Sequence, residues 1–359
     1  MNYKIIKKIH DGYESNVYVV EMNNQNFIMK RYPIIDKNLK NFEMTVAKEI
    51  DMGQFVNNLP ENKKKFFMKT INIKFVKCNE IFEQEYIKKT KTNRCIEILF
   101  ENKGNTIDHL KNISLKEKYK FILMIVYALS IIQKAGYVHA DLHTSNITFQ
   151  ENKEIIKIGN NYIKPKYIYS IIDYGFNKHK KYKEKDSLVK EYLKMNYDLL
   201  YFIRQIILQN NNLQDLYKIK KLKRNHISNF KMENLINIYK NHKSTWKKIK
   251  ETLVKKGNNY KNWFDTFESN KIYKFYDNFD DKYPVLKSKG KNYINISIPL
   301  EINILFSAYN RKSWLKNNNW DKIYLPNFIP SKDIEFLILN ITDYKKIIDY
   351  FSFAVQMKK

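Results

Sequence analysis

The chain has 359 residues, 43% hydrophobic and 15% aromatic, with 65 Lys+Arg against 37 Asp+Glu and a formal charge of +28. That apolar content is enough for a substantial core and excludes global disorder, and the length suits one two-lobed domain or two ordinary ones. No apolar run reaches bilayer length: the longest near-candidate, Phe121 to Ile132, has 12 residues and contains Tyr127 and Ser130.

The start, MNYKIIKKIHDGYE, lacks the apolar core of a signal peptide. Cys78 and Cys95 are the only cysteines. Without a secretory signal they are expected to be reduced thiols in a cytoplasmic setting. Lys, Asn, Ile and Tyr are abundant together, as AT-rich coding produces, and the basic residues are spread along the chain rather than clustered. The charge is therefore read as compositional bias, leaving nucleic-acid binding resting on charge alone and a weak preference for acidic protein partners.

In chain order, YKIIKKI, NVYVVEM and NFIMKRY alternate as strands, joined by HDGYES and NNQN. Residues 36–57 carry a helical pattern, and strand-like runs return at FFMKTINIKFV and RCIEILF. After Gly104, Ser114 to Glu117 (SLKE) forms a capping box that opens a long apolar helix ending at Gly136. Between Asn146 and Asp173, NKEIIKI and YIKPKYIYSII read as one extended hairpin around GNNY. The segment beyond about residue 205 is Lys/Asn-rich. Trp246, Trp263, Trp314 and Trp320 suggest that it is packed, and Pro299 is placed to start a helix.

The candidate functional residues follow the same order. A phosphate lid needs backbone amides close to its ligand. IHDGYESNVYVV offers only Gly12, with His10 and Ser15 at the other two positions, then Val17 over a base. FIMK brings Ile28 and ends at Lys30, a strand lysine that needs a carboxylate to hold it. Glu49 lies nineteen residues on, with Glu43 as the alternative. Around Phe100, Glu101 and Asn102 the strand RCIEILF breaks into a polar hinge that offers backbone groups to an adenine edge.

YVHADLHTSNITF and SIIDYGF, Tyr137 to Phe149 and Ser170 to Phe176, are the most informative stretches. They supply Asp141 to orient an acceptor hydroxyl, and Asn146 and Asp173 as oxygen ligands for Mg²⁺. His139 reads as structural, and His143 stands two residues after Asp141, within reach of a γ-phosphate. Asp198 heads an apolar helix in MNYDLLYFIRQII. It is either a clamp on the catalytic loop or a plain helix N-terminal acid.

Over Tyr3 to Leu208 these motifs resemble the protein-kinase superfamily, and HADLHTSNI with IIDYGF sits nearest its haspin-type and poxvirus virion serine/threonine kinase branches. The resemblance implies an α+β, bilobal fold. Residues 1–103 would form a small β-rich N-lobe with one long helix, and 104–359 a larger, mainly helical C-lobe with a divergent part from about 210. It implies ATP and Mg²⁺ as cofactors and transfer to Ser or Thr of protein substrates. An AT-rich composition suits a large DNA virus, so host cytoplasm or virion is the expected location. Ala140 stands where an arginine usually reads a phosphorylated activation loop, so activity without such phosphorylation is expected. No Ala-Pro-Glu element follows Asp173, and only 24 residues separate it from Asp198. A small-molecule phosphotransferase of the aminoglycoside-kinase type, which also favours a histidine two residues after its aspartate, and a nucleotide-binding pseudokinase are the rivals.

Overall fold

The computed structural model describes residues 3–11, 15–34, 45–82, 90–110, 113–179, 181–182, 189–190, 193, 196–203, 247, 250–251, 254–255, 273–276, 285–288, 296–297 and 329–356. Gly12, Glu43, the first part of the helical stretch at 36–57, the four tryptophans and the helix expected at Pro299 lie outside the described residues. The architecture is mixed α+β, with a sheet-rich N-terminal region and helices after it. Two compact units divide the chain: residues 1–199 with 344–359, and residues 200–343.

The first unit opens with strands β1 (Lys4–Asp11), β2 (Asn16–Met22) and β3 (Gln25–Pro33), then helix α1 (Thr45–Asn57), a short α2 (Glu61–Lys64), β4 (Thr70–Phe82) and β5 (Thr90–Glu101). The strands form one antiparallel sheet in the order β1-β2-β3-β5-β4. Strand alternation gives this sheet two distinct faces. Tyr18, Val20, Met29 and Leu99 pack on one, and Ile28, Lys30 and Tyr32 belong to the other. Helix α1 buries Val46, Glu49, Met52 and Val56, one stripe at helical spacing.

Cys78 and Cys95 are joined as a disulfide, not held as separate thiols as expected. The compartment argument ignores strand adjacency. Val76 pairs with Cys95 across β4 and β5, and the register shift between Lys77 and Glu80 carries Cys78 to a Cα–Cα distance of 5.8 Å.

Beyond β6 (Asn105–Thr106), helix α3 runs from Leu115 to Lys134. Ser114 caps it as expected, its side chain accepting from Glu117 N at 3.2 Å. The chain continues through β7 (Tyr137–Val138), a 3₁₀ turn at Thr144–Asn146, β8 (Ile147–Glu151), β9 (Ile156–Ile158), β10 (Asn161–Ile163), β11 (Tyr167–Ile171) and β12 (Lys178–His179). The stretch expected as one hairpin is two: β9 pairs with β10, while β11 pairs separately with β8. Pro165, which has no N–H to extend a ladder, separates β10 from β11, and Asn152 Nδ2 donates to its carbonyl at 3.0 Å. Helix α4 (Tyr197–Phe202) carries Asp198 in its first turn.

In the second unit, strands β13 (Tyr273–Tyr276), β14 (Val285–Ser288) and β15 (Ile296–Ser297) form an antiparallel sheet, and α5 (Ser331–Leu339) follows. Helix α6 (Tyr344–Gln356) belongs again to the first unit and packs on α3. Its buried residues Ile347, Phe351 and Val355 recur every four residues, and Phe351 meets the Tyr119 ring at 5.6 Å. Phe351→Ala is expected to cost about 3–5 kcal/mol through lost burial and the cavity left behind. Urea unfolding should show a clearly lower midpoint, and an unchanged midpoint would mean that α6 is not part of this core. Among the described residues, no helix is long and apolar enough to cross a membrane.

Candidate active site

Lys30 lies on the β3 face that looks onto α1, where burial forces its ammonium to find carboxylates. Its Nζ lies 2.8 Å from Glu49 Oε1 and 2.8 Å from Asp173 Oδ1. Of the two candidate partners, Glu49 therefore holds it. Burial alone would push the Lys30 ammonium down, but Asp173 and Glu49 outweigh it and hold the pKa above its ordinary value, so the cation persists. Glu49 is fully buried, and that burial pushes its carboxyl up against the opposing pull of Lys30.

Asp173 follows the buried strand β11, with φ +62 and a side chain 40% exposed. Burial raises its pKa and the Lys30 ammonium lowers it more, leaving the carboxyl below the usual range and ionised at neutral pH. Gly175 keeps this turn close to α1, since a Cβ there would run into Thr45 Cγ2. Between them, Tyr174 is fully buried, its hydroxyl accepting from Met68 N at 2.8 Å.

The loop from His139 to Asn146 is built around internal hydrogen bonds. Asn146 Nδ2 is 2.8 Å from the Asp141 carbonyl, 3.4 Å from Asp141 Oδ2 and 3.0 Å from His143 Nε2. With its nitrogen so committed, the amide oxygen is the atom Asn146 has left for a cation. His143 Nε2 lies 3.5 Å from Asp141 Oδ2. Burial would lower the His143 pKa, but Asp141 first, then Asp173 and Asp108, raise it above the ordinary imidazole value. His139 is buried; its Nε2 lies 2.9 Å from Ile172 O and its ring meets Tyr174 edge-on. That is a packing role beneath the Asp173 turn.

Asp198 is buried and accepts from His139 N at 2.7 Å and Ala140 N at 2.8 Å. Between those two bonds Ala140 takes φ +66, a conformation alanine rarely adopts. Burial raises the Asp198 pKa, and the two amides counter it. Of the two readings of Asp198, the geometry is that of a loop clamp.

Phe100 pairs with Ile28, Glu101 with Phe27, and Val17 with Lys30, so Val17, Ile28 and Phe100 share the Lys30 face of the sheet, while Glu101 lies on the other. Lys30 Nζ sits 5.8 Å from the Phe100 ring centroid. The Asn102 carbonyl accepts from Gln150 Nε2 at 3.0 Å, while its side chain accepts from Gly104 N at 3.0 Å. Gly104, at φ +82, cannot carry a Cβ without meeting the Phe149 carbonyl.

One set of contacts was not anticipated. Asn177 Nδ2 donates to Lys48 O on α1 at 2.7 Å, and the Tyr182 hydroxyl lies 2.8 Å from Asp51 Oδ2 and 2.6 Å from Asn177 Oδ1. Tyr137 OH reaches the same Asp51 oxygen at 2.9 Å, and Lys181 Nζ pairs with Asp51 Oδ1. The segment after Asp173 is thus tied to the helix that carries Glu49.

The donors at the site are carboxylate and amide oxygens, the hard ligands that Mg²⁺ takes, and Asp173 is ionised and partly open. Among the described residues, no three His, Cys, Asp or Glu side chains form a site that would hold a metal unaided. No family model matches the chain, and no curated protein matches it significantly.

Proposed function

We propose that the chain is an ATP- and Mg²⁺-dependent serine/threonine protein kinase with a bilobal kinase-like fold, residues 1–103 forming its N-lobe and 104–359 its C-lobe. The observation that carries the proposal is the convergence of Lys30, Glu49 and Asp173, drawn from three separate elements at 2.8 Å, beside a loop in which Asn146 holds Asp141. A structural ion pair alone would not need a second, partly exposed carboxylate on the same ammonium.

In this reading Asp141 orients the acceptor hydroxyl and takes its proton late in the transfer. Asn146 and Asp173 would hold Mg²⁺, which neutralises phosphate charge when bound. Lys30, held charged, faces the α/β-phosphates, and His143 lends a second cation where its raised pKa keeps it protonated. Val17, Ile28 and the hinge at Phe100, Glu101 and Asn102 line the base, with Gly12 in the lid. The hydrogen bonds from Asn177 and Tyr182 to α1 need no phosphate, which supports activity without activation-loop phosphorylation.

The test is γ-phosphate transfer from ATP with Mg²⁺, comparing wild type with Asp141→Asn on the chain itself, a basic protein and an acidic protein. Phosphoserine or phosphothreonine is expected with wild type alone, and Asp141→Asn should lose about 10²–10⁴-fold. Nucleotide-dependent thermal stabilisation without transfer to any protein would favour a small-molecule acceptor or a nucleotide-binding pseudokinase.

A further inference from the structure

The Lys30 pair accounts for only one oxygen of the buried Glu49 carboxylate. The other, Oε2, accepts from the Tyr32 hydroxyl. Tyr32 follows Lys30 by two residues on β3, so strand alternation places both side chains on one face, and Tyr32 is buried as well. Ser15, a buried residue just before β2, interacts with the Tyr32 hydroxyl. The β2–β3 register explains that meeting: Val17 pairs with Lys30 and Asn16 with Arg31, so Ser15 falls opposite Tyr32. Ser15 occupies the third lid position, where a glycine would leave the backbone bare.

We propose that Tyr32 is a positioning residue for phosphate transfer, coupling Ser15 to the Glu49–Lys30 pair. The proposal rests on the kinase reading above and deepens it. A fully buried carboxylate needs partners on both oxygens. Without the Tyr32 hydroxyl, Oε2 loses its donor, and Glu49 relaxes by turning its second oxygen onto Lys30 or away toward water. Either movement shifts Lys30 relative to Asp173, the carboxylate assigned to the metal. The Tyr32 hydroxyl thus lets Lys30 serve two carboxylates at once, and Ser15 meets the same hydroxyl.

The experiment uses the full chain with Tyr32→Phe, Ser15→Ala and the double variant, each also in a Lys30→Ala background. Phenylalanine keeps the ring and its packing, so the variant isolates the hydroxyl. Tyr32→Phe is expected to lower kcat about tenfold, the low end of the effect of removing a hydrogen-bonded partner behind a functional group. ATP-dependent thermal stabilisation should shrink, and KM for the protein substrate should stay unchanged. Ser15→Ala should act in the same direction and more weakly, the double variant should match Tyr32→Phe alone, and Tyr32→Phe should add nothing once Lys30 is alanine. A merely structural role predicts instead the same loss in every background. That result, or a Tyr32→Phe enzyme with kcat and ATP affinity at the wild-type level, overturns the proposal while the kinase reading stands. A wild-type chain that neither transfers phosphate nor is stabilised by ATP fails earlier and removes the kinase reading together with this one.

Discussion

Asp173→Ala is expected to cut Mg²⁺-dependent phosphate transfer by about 10²–10³-fold while the chain stays folded. The size follows from what the carboxylate does. In the proposed reading it would hold the Mg²⁺ that neutralises the transferred phosphate, and losing such charge stabilisation costs roughly 3–4 kcal/mol. Lys30 holds Asp173 ionised, and its side chain stays 40% exposed. Stability should change little. Glu49 still neutralises Lys30 when Asp173 is gone, and a half-open carboxylate forfeits little burial. Alanine must tolerate φ +62, which costs it about 1 kcal/mol more than aspartate, so the melting temperature should fall by no more than a few degrees. Transfer rates across a Mg²⁺ titration, with a thermal melt on the same sample, separate the two effects. Near-wild-type activity sinks the metal assignment, and a collapsed melt means that Asp173 chiefly holds the fold.

What was legible in the sequence is what local spacing encodes. The Ser114 cap, the Lys30-to-Glu49 separation and the order Asp141, Asn146, Asp173 are each short-range patterns with a physical reason, and the structure brings those residues together. Tyr32 carried a usable signal: an amphipathic ring two residues after the buried strand lysine must share its face. The contacts from Asn177, Lys181 and Tyr182 to α1 carried none, because they join residues about 130 apart and obey no period. Helix α6 was equally hidden, since its apolar spacing says that it packs but not that it packs on α3. The Cys78–Cys95 bond was misread because a compartment argument was applied where strand register decides proximity.

Asp198→Ala should damage both activity and stability, and the sizes separate its two readings. As a helix N-terminal acid, Asp198 would contribute about 0.3–1 kcal/mol through the helix dipole and nothing to catalysis. As a clamp it accepts from two consecutive amides, one buried and one partly so, and alanine leaves both without a partner. Each orphaned N–H costs about 1–3 kcal/mol, reduced by the relief of no longer burying a carboxylate, for a net loss of roughly 3 kcal/mol. The released strain at Ala140 then lets the loop relax toward ordinary backbone angles, carrying His139 out of its packing under Tyr174 and Asp141 away from its station. Because misplacement on the order of 1 Å costs about 10²-fold, kcat should fall by at least that much even at temperatures where the chain remains folded. Asp198→Asn keeps one acceptor oxygen and turns a donor toward the other amide, so it should lie between wild type and alanine in both measurements. Urea unfolding with parallel turnover on the three proteins decides the matter. A stability loss under 1 kcal/mol with unchanged kcat returns Asp198 to a helix cap. The graded loss in both places the left-handed turn at Ala140, and through it Asp141, under the control of this buried carboxylate.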